Sequence, residues 1–156
     1  MRQPITLCPI GIVRSPVKDR TDTGWGNVKA RIELQAEYAG GLRGLDAFSH
    51  ALVVTNLHQA HFDPEKHLTR RPQGRDDMPE VGILSQRAKD RPNPIGITTV
   101  EILKVGDATL EVRGLDAIDG TPVLDIKAYF PAYDLVEAPR VPSWVEELMR
   151  HYFRGA

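Results

Sequence analysis

Apolar positions fall in short runs rich in Val, Ile and Thr, separated by Gly, Pro and Asp, which is the spacing of strands rather than of long helices. The alternation predicts strands at 5–14, 30–34, 51–56, 81–85, 98–105, 109–115 and 122–128. Gly106-Asp107 reads as a two-residue hairpin turn, and Asp119-Gly120 supplies residues that tolerate positive φ before the last strand. The interval 40–47 reads as a turn with a short helix, and 59–80, poor in apolar residues, as a long loop. After Pro142 the period changes to that of a helix. Ser143 and Glu146 have the spacing of a capping box, and Trp144, Val145, Leu148, Met149 and Tyr152 share one face. Such a stripe packs on the rest of the domain or on a partner subunit. Many short strands with few helices between them predict a mostly β fold: a single closed or nearly closed β-barrel with short helices and a C-terminal helix. The barrel is expected over 1–138 and a helical extension over 139–156.

At 156 residues the chain has the size of one domain, and 41% hydrophobic with 26% charged residues is a globular composition. Lys+Arg 20 against Asp+Glu 21 gives a net charge of −1, so nucleic acid can be attracted only by a local patch. Cys8 is the only cysteine, which excludes a disulfide framework and a thiolate-rich metal site and fits a reducing compartment. The N-terminal apolar run is broken by Pro9 and meets Arg14, unlike a signal peptide, and no run reaches the roughly 18 apolar residues of a membrane span. A cytoplasmic protein without membrane attachment is the expectation.

No dinucleotide or P-loop fingerprint is present, because Gly24-x-Gly26 is followed by Lys29 where a third glycine belongs. His58, His61 and His67 lack supporting cysteines or an H-E-x-x-H pattern, so no metal is expected. His58-Gln59 closes an apolar run where a loop begins, a position that commonly lines sites. Lys66, Arg70, Arg71, Arg75, Arg87, Lys89 and Arg91 form either a phosphate-binding surface or, with the acids interspersed among them, a solvated mixed-charge loop. In Arg91-Pro-Asn-Pro-Ile-Gly96 two prolines stiffen the chain, so the Arg91 and Asn93 side chains leave an extended loop with little entropy to lose. Asp116 and Asp119, beside a tight turn, either bond the turn backbone or hold ligand hydroxyls.

Taken in order, Gly11-Ile-Val-Arg-Ser-Pro16, Gly44-Leu-Asp-Ala-Phe-Ser-His50, His58-Gln59, Arg87 with Arg91-Pro-Asn-Pro-Ile-Gly96, and Leu115-Asp-Ala-Ile-Asp-Gly-Thr-Pro-Val-Leu-Asp-Ile-Lys127 resemble the TsaA-like family of tRNA methyltransferases. The resemblance runs from about Pro9 to Tyr133. It implies a β-barrel enzyme that uses S-adenosyl-L-methionine without a Rossmann fold, as a homodimer, to methylate the exocyclic nitrogen of threonylcarbamoyladenosine beside a tRNA anticodon. Carried over by motif, His58, Gln59, Arg87, Ile97, Leu115, Asp116, Asp119 and Gly120 would bind the cofactor, and Arg91 and Asn93 the nucleotide substrate. If the acceptor nitrogen must lose a proton, His58 or a nearby Asp would serve as base. The resemblance stops short of the family's C-terminal domain, and Asp22–Asn27 stands where members carry a Pro-Arg-Gln-like stretch. The rival reading is a cofactor-sensing or interaction module that binds S-adenosylmethionine without transferring its methyl group.

Overall fold

A computed structural model describes residues 3–154. Six strands close into an antiparallel barrel in the order β1-β2-β7-β6-β3-β8, with β1 at Gly11–Arg14, β2 at Lys29–Leu34, β3 at His50–Asn56, β6 at Ile95–Val105, β7 at Thr109–Arg113 and β8 at Pro122–Ala128. Closure comes from β1 pairing with both β2 and β8, so the barrel has no free edge. Period-2 alternation decides which side chains turn inward. Ala51, Val53 and Thr55 of β3, Thr98 and Val100 of β6, and Leu110 and Val112 of β7 are all buried. Val13, Ala30, Ile32 and Val123 complete the inner wall, with Leu42 from the 3₁₀ turn Ala36–Leu42, and Leu115 and Ala117 from the segment after β7.

Several boundaries differ from the sequence expectation. Only Gly11–Arg14 of the run 5–14 is strand, since its register with β2 and β8 begins at Gly11, and Ile5 and Leu7 lie exposed. The hairpin between β6 and β7 has a three-residue loop, 106–108, closed by the Gly106 N–H donating to Thr109 O. The interval 59–80 is an ordered excursion. It contains helix α1 (Pro64–His67), capped by Asp63 accepting from the Glu65 N–H, and strand β4 (Thr69–Arg70), and it buries Pro72 and Met78. β4 pairs with β5 (Val81–Gly82), so the predicted strand 81–85 belongs to this small sheet, and its second half is the 3₁₀ turn Ile83–Ser85.

Helix α2 (Pro131–Asp134) follows β8, and α3 spans Ser143–Met149. The capping box does not form, because Pro142 occupies the N-cap and Ser143 falls one residue inside the helix, where its hydroxyl is out of register. The predicted stripe of Trp144, Val145, Leu148, Met149 and Tyr152 is half-buried throughout. Among the described residues no helix is long and apolar enough to cross a membrane.

Gly96 shows why the stiff loop ends in glycine. It pairs with Thr55 across β3 and β6, and a Cβ there would lie 2.6 Å from Thr55 Oγ1 and 3.1 Å from Leu57 Cδ2. Thr55 is buried and β-branched, so it yields poorly. Gly96→Ala is expected to cost about 1–3 kcal/mol, the range for overpacking. A urea titration reads this as a lower midpoint, and an unchanged midpoint would show that Thr55 rotates clear.

Candidate functional site

Antiparallel closure gathers the motifs at one rim. β1, β3 and β7 end there while β2, β6 and β8 begin, as the pairs Arg14 with Arg31, Asn56 with Ile95, Lys29 with Arg113 and Thr55 with Val123 require. His58-Gln59, Asn93 to Ile97, Leu115-Asp116 and Asp119-Gly120 are therefore neighbours at the same end, although up to about 60 residues separate them in sequence. Two surface depressions lie elsewhere. One sits at the opposite end beside Gly40, Arg43 and Val105, the other on the barrel wall beside Arg14, Lys29 and Glu111. Gly44 and Asp46 line the first and Arg14 the second, but none of the residues expected to hold cofactor or substrate lines either.

Asp116 is the centre of this rim. Its Oδ1 accepts from the hydroxyl of buried Thr98, and its Oδ2 accepts from the Tyr152 hydroxyl at 2.8 Å. Arg87, exposed, donates from its guanidinium to the carbonyl of Ile97, next to Thr98 along β6. Ile97 itself is 48% exposed, an apolar side chain standing among polar groups. Arg87, Ile97 and Asp116 are thus joined through two neighbouring residues of β6. Burial, and then the charge of Asp116, raises the Tyr152 hydroxyl well above the ordinary phenol range, so Tyr152 is a donor at neutral pH.

His58 and Gln59 are exposed just past β3. The loop that carries them is tied down by the Leu57 N–H donating to Pro94 O at 2.7 Å and by Arg20 donating to Gln59 O. Asn93 is exposed on the same crossing, its carbonyl accepting from the Ile95 N–H. Arg91 is turned back, donating to Gln86 O at 3.1 Å.

The remaining expected residues are placed by the backbone. Leu115 is fully buried in the core, so it offers a ligand only its peptide groups. Asp119 accepts from the Ser15 N–H at 3.0 Å and pairs with Lys18 at 2.7 Å, tying the exit of β1 to the turn before β8. Lys18 first, then the Ser15 N–H, holds its carboxyl below the usual carboxylate range. Gly120 has φ +81°, and its N–H donates to Val13 O.

The basic stretch resolves into local pairs. Lys66 meets Asp63, Arg75 meets Asp77, and Arg70 and Lys89 both face Asp90, while Arg71 donates to Met78 O. This is the mixed-charge alternative rather than an open phosphate-binding surface. Burial opposes ionisation of Asp90, yet Lys89 and the His61 N–H outweigh it and hold the carboxyl below its ordinary range. Among the described residues no group of three or more His, Cys, Asp or Glu could hold a metal, and the His67 ring accepts from the Asp63 N–H.

Residues 12–135 match the tRNA-methyltransferase O N-terminal domain, TrmO_N, a stretch from the second residue of β1 through α2 that includes every expected site residue. The chain belongs to the TrmO_N family. A probable S-adenosyl-L-methionine-binding protein of Methanothermobacter thermautotrophicus is 41% identical over 135 residues, covering 83% of this chain and 93% of the relative. The tRNA (adenine(37)-N6)-methyltransferase of Escherichia coli is 37% identical over 133 residues, covering 78% of this chain and 56% of that enzyme. A crystal structure of TrmO from Pseudomonas aeruginosa superposes with a TM-score of 0.75 at 27% identity, over 92% of this chain and 63% of the solved chain. The chain thus spans nearly all of the shorter relative and a little over half of the longer enzyme and of the solved chain.

The structure brings Arg87, Ile97 and Asp116 together, and it adds two partners of Asp116 that sequence reasoning does not single out. Thr98 was hidden because its role depends on which segment crosses the rim. Tyr152 was read as the last member of an apolar stripe. Its one overlooked signal is chemical, since a phenol at the end of a buried stripe needs a partner for its hydroxyl.

Proposed function

We propose that the chain is an S-adenosylmethionine-dependent methyltransferase whose acceptor is the exocyclic nitrogen of threonylcarbamoyladenosine, or a closely related modified adenosine, in tRNA. The observation that carries this reading is the gathering of Arg87, Ile97 and Asp116 around the start of β6, with His58 and Gln59 on the same rim. The relatives' names, one a cofactor-binding protein and one a tRNA methyltransferase, support it.

The donor set suits the cofactor. A carboxylate has about four acceptor sites, and Asp116 uses two on hydroxyls, which leaves capacity for ribose hydroxyls. The Arg87 guanidinium keeps donors beyond the one on Ile97 O, and its fork matches the carboxylate of a methionine moiety. Ile97 offers an apolar surface to a base. Leu115 and Gly120 contribute peptide groups, and Asp119 fixes the turn that presents them. When bound, S-adenosylmethionine supplies an electrophilic methyl group on a sulfonium. The chain then needs no covalent nucleophile; holding the acceptor in line is worth roughly 7–11 kcal/mol in good cases. Asn93, exposed on the rim, is suited to contact the nucleotide, Arg91 would have to leave Gln86 O to join it, and His58 is an imidazole on this rim suited to take a proton from the acceptor nitrogen.

With a net charge of −1 and its basic loop internally paired, the chain would bind tRNA through a few rim donors rather than a broad basic surface. We place it in the cytoplasm as a homodimer. Phe48, stacked on Phe130 with ring centroids 5.7 Å apart, and Tyr133 beside them form the exposed aromatic group most in need of cover.

Titration calorimetry with S-adenosylmethionine and S-adenosylhomocysteine tests the cofactor assignment. Arg87→Ala is expected to weaken binding about tenfold, the worth of roughly 1.4 kcal/mol, whereas Arg70→Ala, on the paired loop, leaves it unchanged. Equal affinities would contradict the assignment. Transfer of labelled methyl groups to unfractionated tRNA decides the reaction, and binding without transfer to tRNA or modified nucleosides would leave the sensor in its place.

A further inference from the structure

The segment after α3 returns to the rim. The N–H groups of Gly24, Trp25 and Gly26 donate to the carbonyls of His151, Tyr152 and Phe153 at 3.4, 3.0 and 2.7 Å. Trp25 is buried, and its indole N–H donates to Thr21 O, which fixes the turn as a receptacle. A Cβ on Gly26 would lie 2.3 Å from the Phe153 carbonyl oxygen, so this close approach needs glycine. Glu147 of α3 adds a contact to Arg75 at 3.7 Å. The Tyr152 ring packs edge-on against Phe153, and its hydroxyl reaches Asp116.

From this geometry we infer that Tyr152 is a further positioning residue of the cofactor site, holding the Asp116 carboxylate in the orientation that binds the ligand. This rests on the cofactor reading above. Thr98 holds one carboxylate oxygen and Tyr152 the other, so the carboxylate plane is fixed and its remaining lone pairs point in set directions before any ligand arrives. A hydroxyl donating to an ionised carboxylate makes one of the stronger hydrogen bonds. Preorganisation of this kind raises affinity by removing the cost of ordering the side chain on binding. Tyr152 lies outside the stretch that matches the family, residues 12–135, so the Asp116 carboxylate is set in part by a segment beyond the TrmO_N domain. The raised pKa of the Tyr152 hydroxyl is consistent with a donor that stays protonated at neutral pH.

The test is calorimetry of the full chain with S-adenosylhomocysteine for wild type, Tyr152→Phe, Asp116→Asn and the double variant. Tyr152→Phe keeps the ring and the backbone contacts and removes only the hydroxyl, and its melting temperature is measured alongside. We expect Tyr152→Phe to weaken binding about tenfold, and the double variant to bind no more weakly than Asp116→Asn alone, because the tyrosine acts through the aspartate. A second measurement needs no variant. Hydrogen exchange at the Trp25 and Gly26 amides, which donate to the docked tail, should slow or hold steady when S-adenosylhomocysteine saturates the protein. Undiminished affinity in Tyr152→Phe, a full tenfold loss that persists in the Asp116→Asn background, or faster exchange at those amides on binding would each overturn the inference while leaving the cofactor reading intact. Wild-type protein that binds neither S-adenosylmethionine nor S-adenosylhomocysteine would overturn the cofactor reading, and this inference with it.

Discussion

Asp116→Ala is expected to raise the dissociation constant for S-adenosylmethionine at least about a hundredfold. The carboxylate sits at the middle of the rim with both oxygens anchored, and each hydrogen bond to a charged group contributes about 1.5–3 kcal/mol. Losing two such bonds to ribose hydroxyls amounts to a factor of a hundred or more. The truncation also strands the Thr98 and Tyr152 hydroxyls, which adds to the loss. The fold should survive, because Asp116 lies on the segment that leaves β7 and its side chain is only partly buried. Calorimetry with both nucleosides and a far-UV spectrum of the variant check this together. A folded Asp116→Ala protein with wild-type affinity would remove Asp116 from the site.

Ile32→Ala should be the most damaging change away from the rim. Ile32 is fully buried inside a narrow barrel, opposite Val13 on one neighbouring strand and Leu110 on the other. A closed wall cannot collapse onto the space left behind, so both the lost transfer energy and the cavity term apply, about 2–5 kcal/mol in total. That is a large part of the roughly 5–15 kcal/mol that holds an ordinary domain together. Urea denaturation should show a lower midpoint with an unchanged slope. A midpoint equal to that of the wild type would mean that the inner wall repacks, against the geometry of a small closed barrel.

The barrel was legible where alternation decides burial. Ala51, Val53 and Thr55, or Leu110 and Val112, announce an inward face by their spacing alone. The run 5–14 alternates as well, but a strand needs a partner, and beyond the Ile10 N–H donating to Val123 O neither β2 nor β8 continues alongside it before Gly11. Val81–Gly82 likewise carries strand-like residues, yet its partner is Thr69–Arg70, a pairing that sequence periodicity does not encode. The site divides along the same line. Arg87, Ile97 and Asp116 stand in motifs that the sequence displays. The contacts that join them, from Thr98 to Asp116 and from Arg87 to the Ile97 carbonyl, arise only when β6 and the β7 exit lie side by side. Asp119 is ambiguous in sequence between turn and ligand, and its bond to the Ser15 N–H shows the turn role. Tyr152 depends on the path of the tail, which an apolar stripe does not specify.

The bond between Ser15 and Asp119 joins residues 104 positions apart, and the β1–β8 pairing beside it closes the barrel. Such non-local pairings pay their loop-closure entropy before they return any energy, and folds dominated by them form over milliseconds to seconds. The rim is therefore complete only once this long-range closure has formed. A partly folded chain with β2, β7, β6 and β3 already paired would hold Thr98 beside the β7 exit but lack the anchored turn at Asp119. A ligand that binds this rim would therefore bind only the finished barrel and, by mass action, would slow or oppose its unfolding.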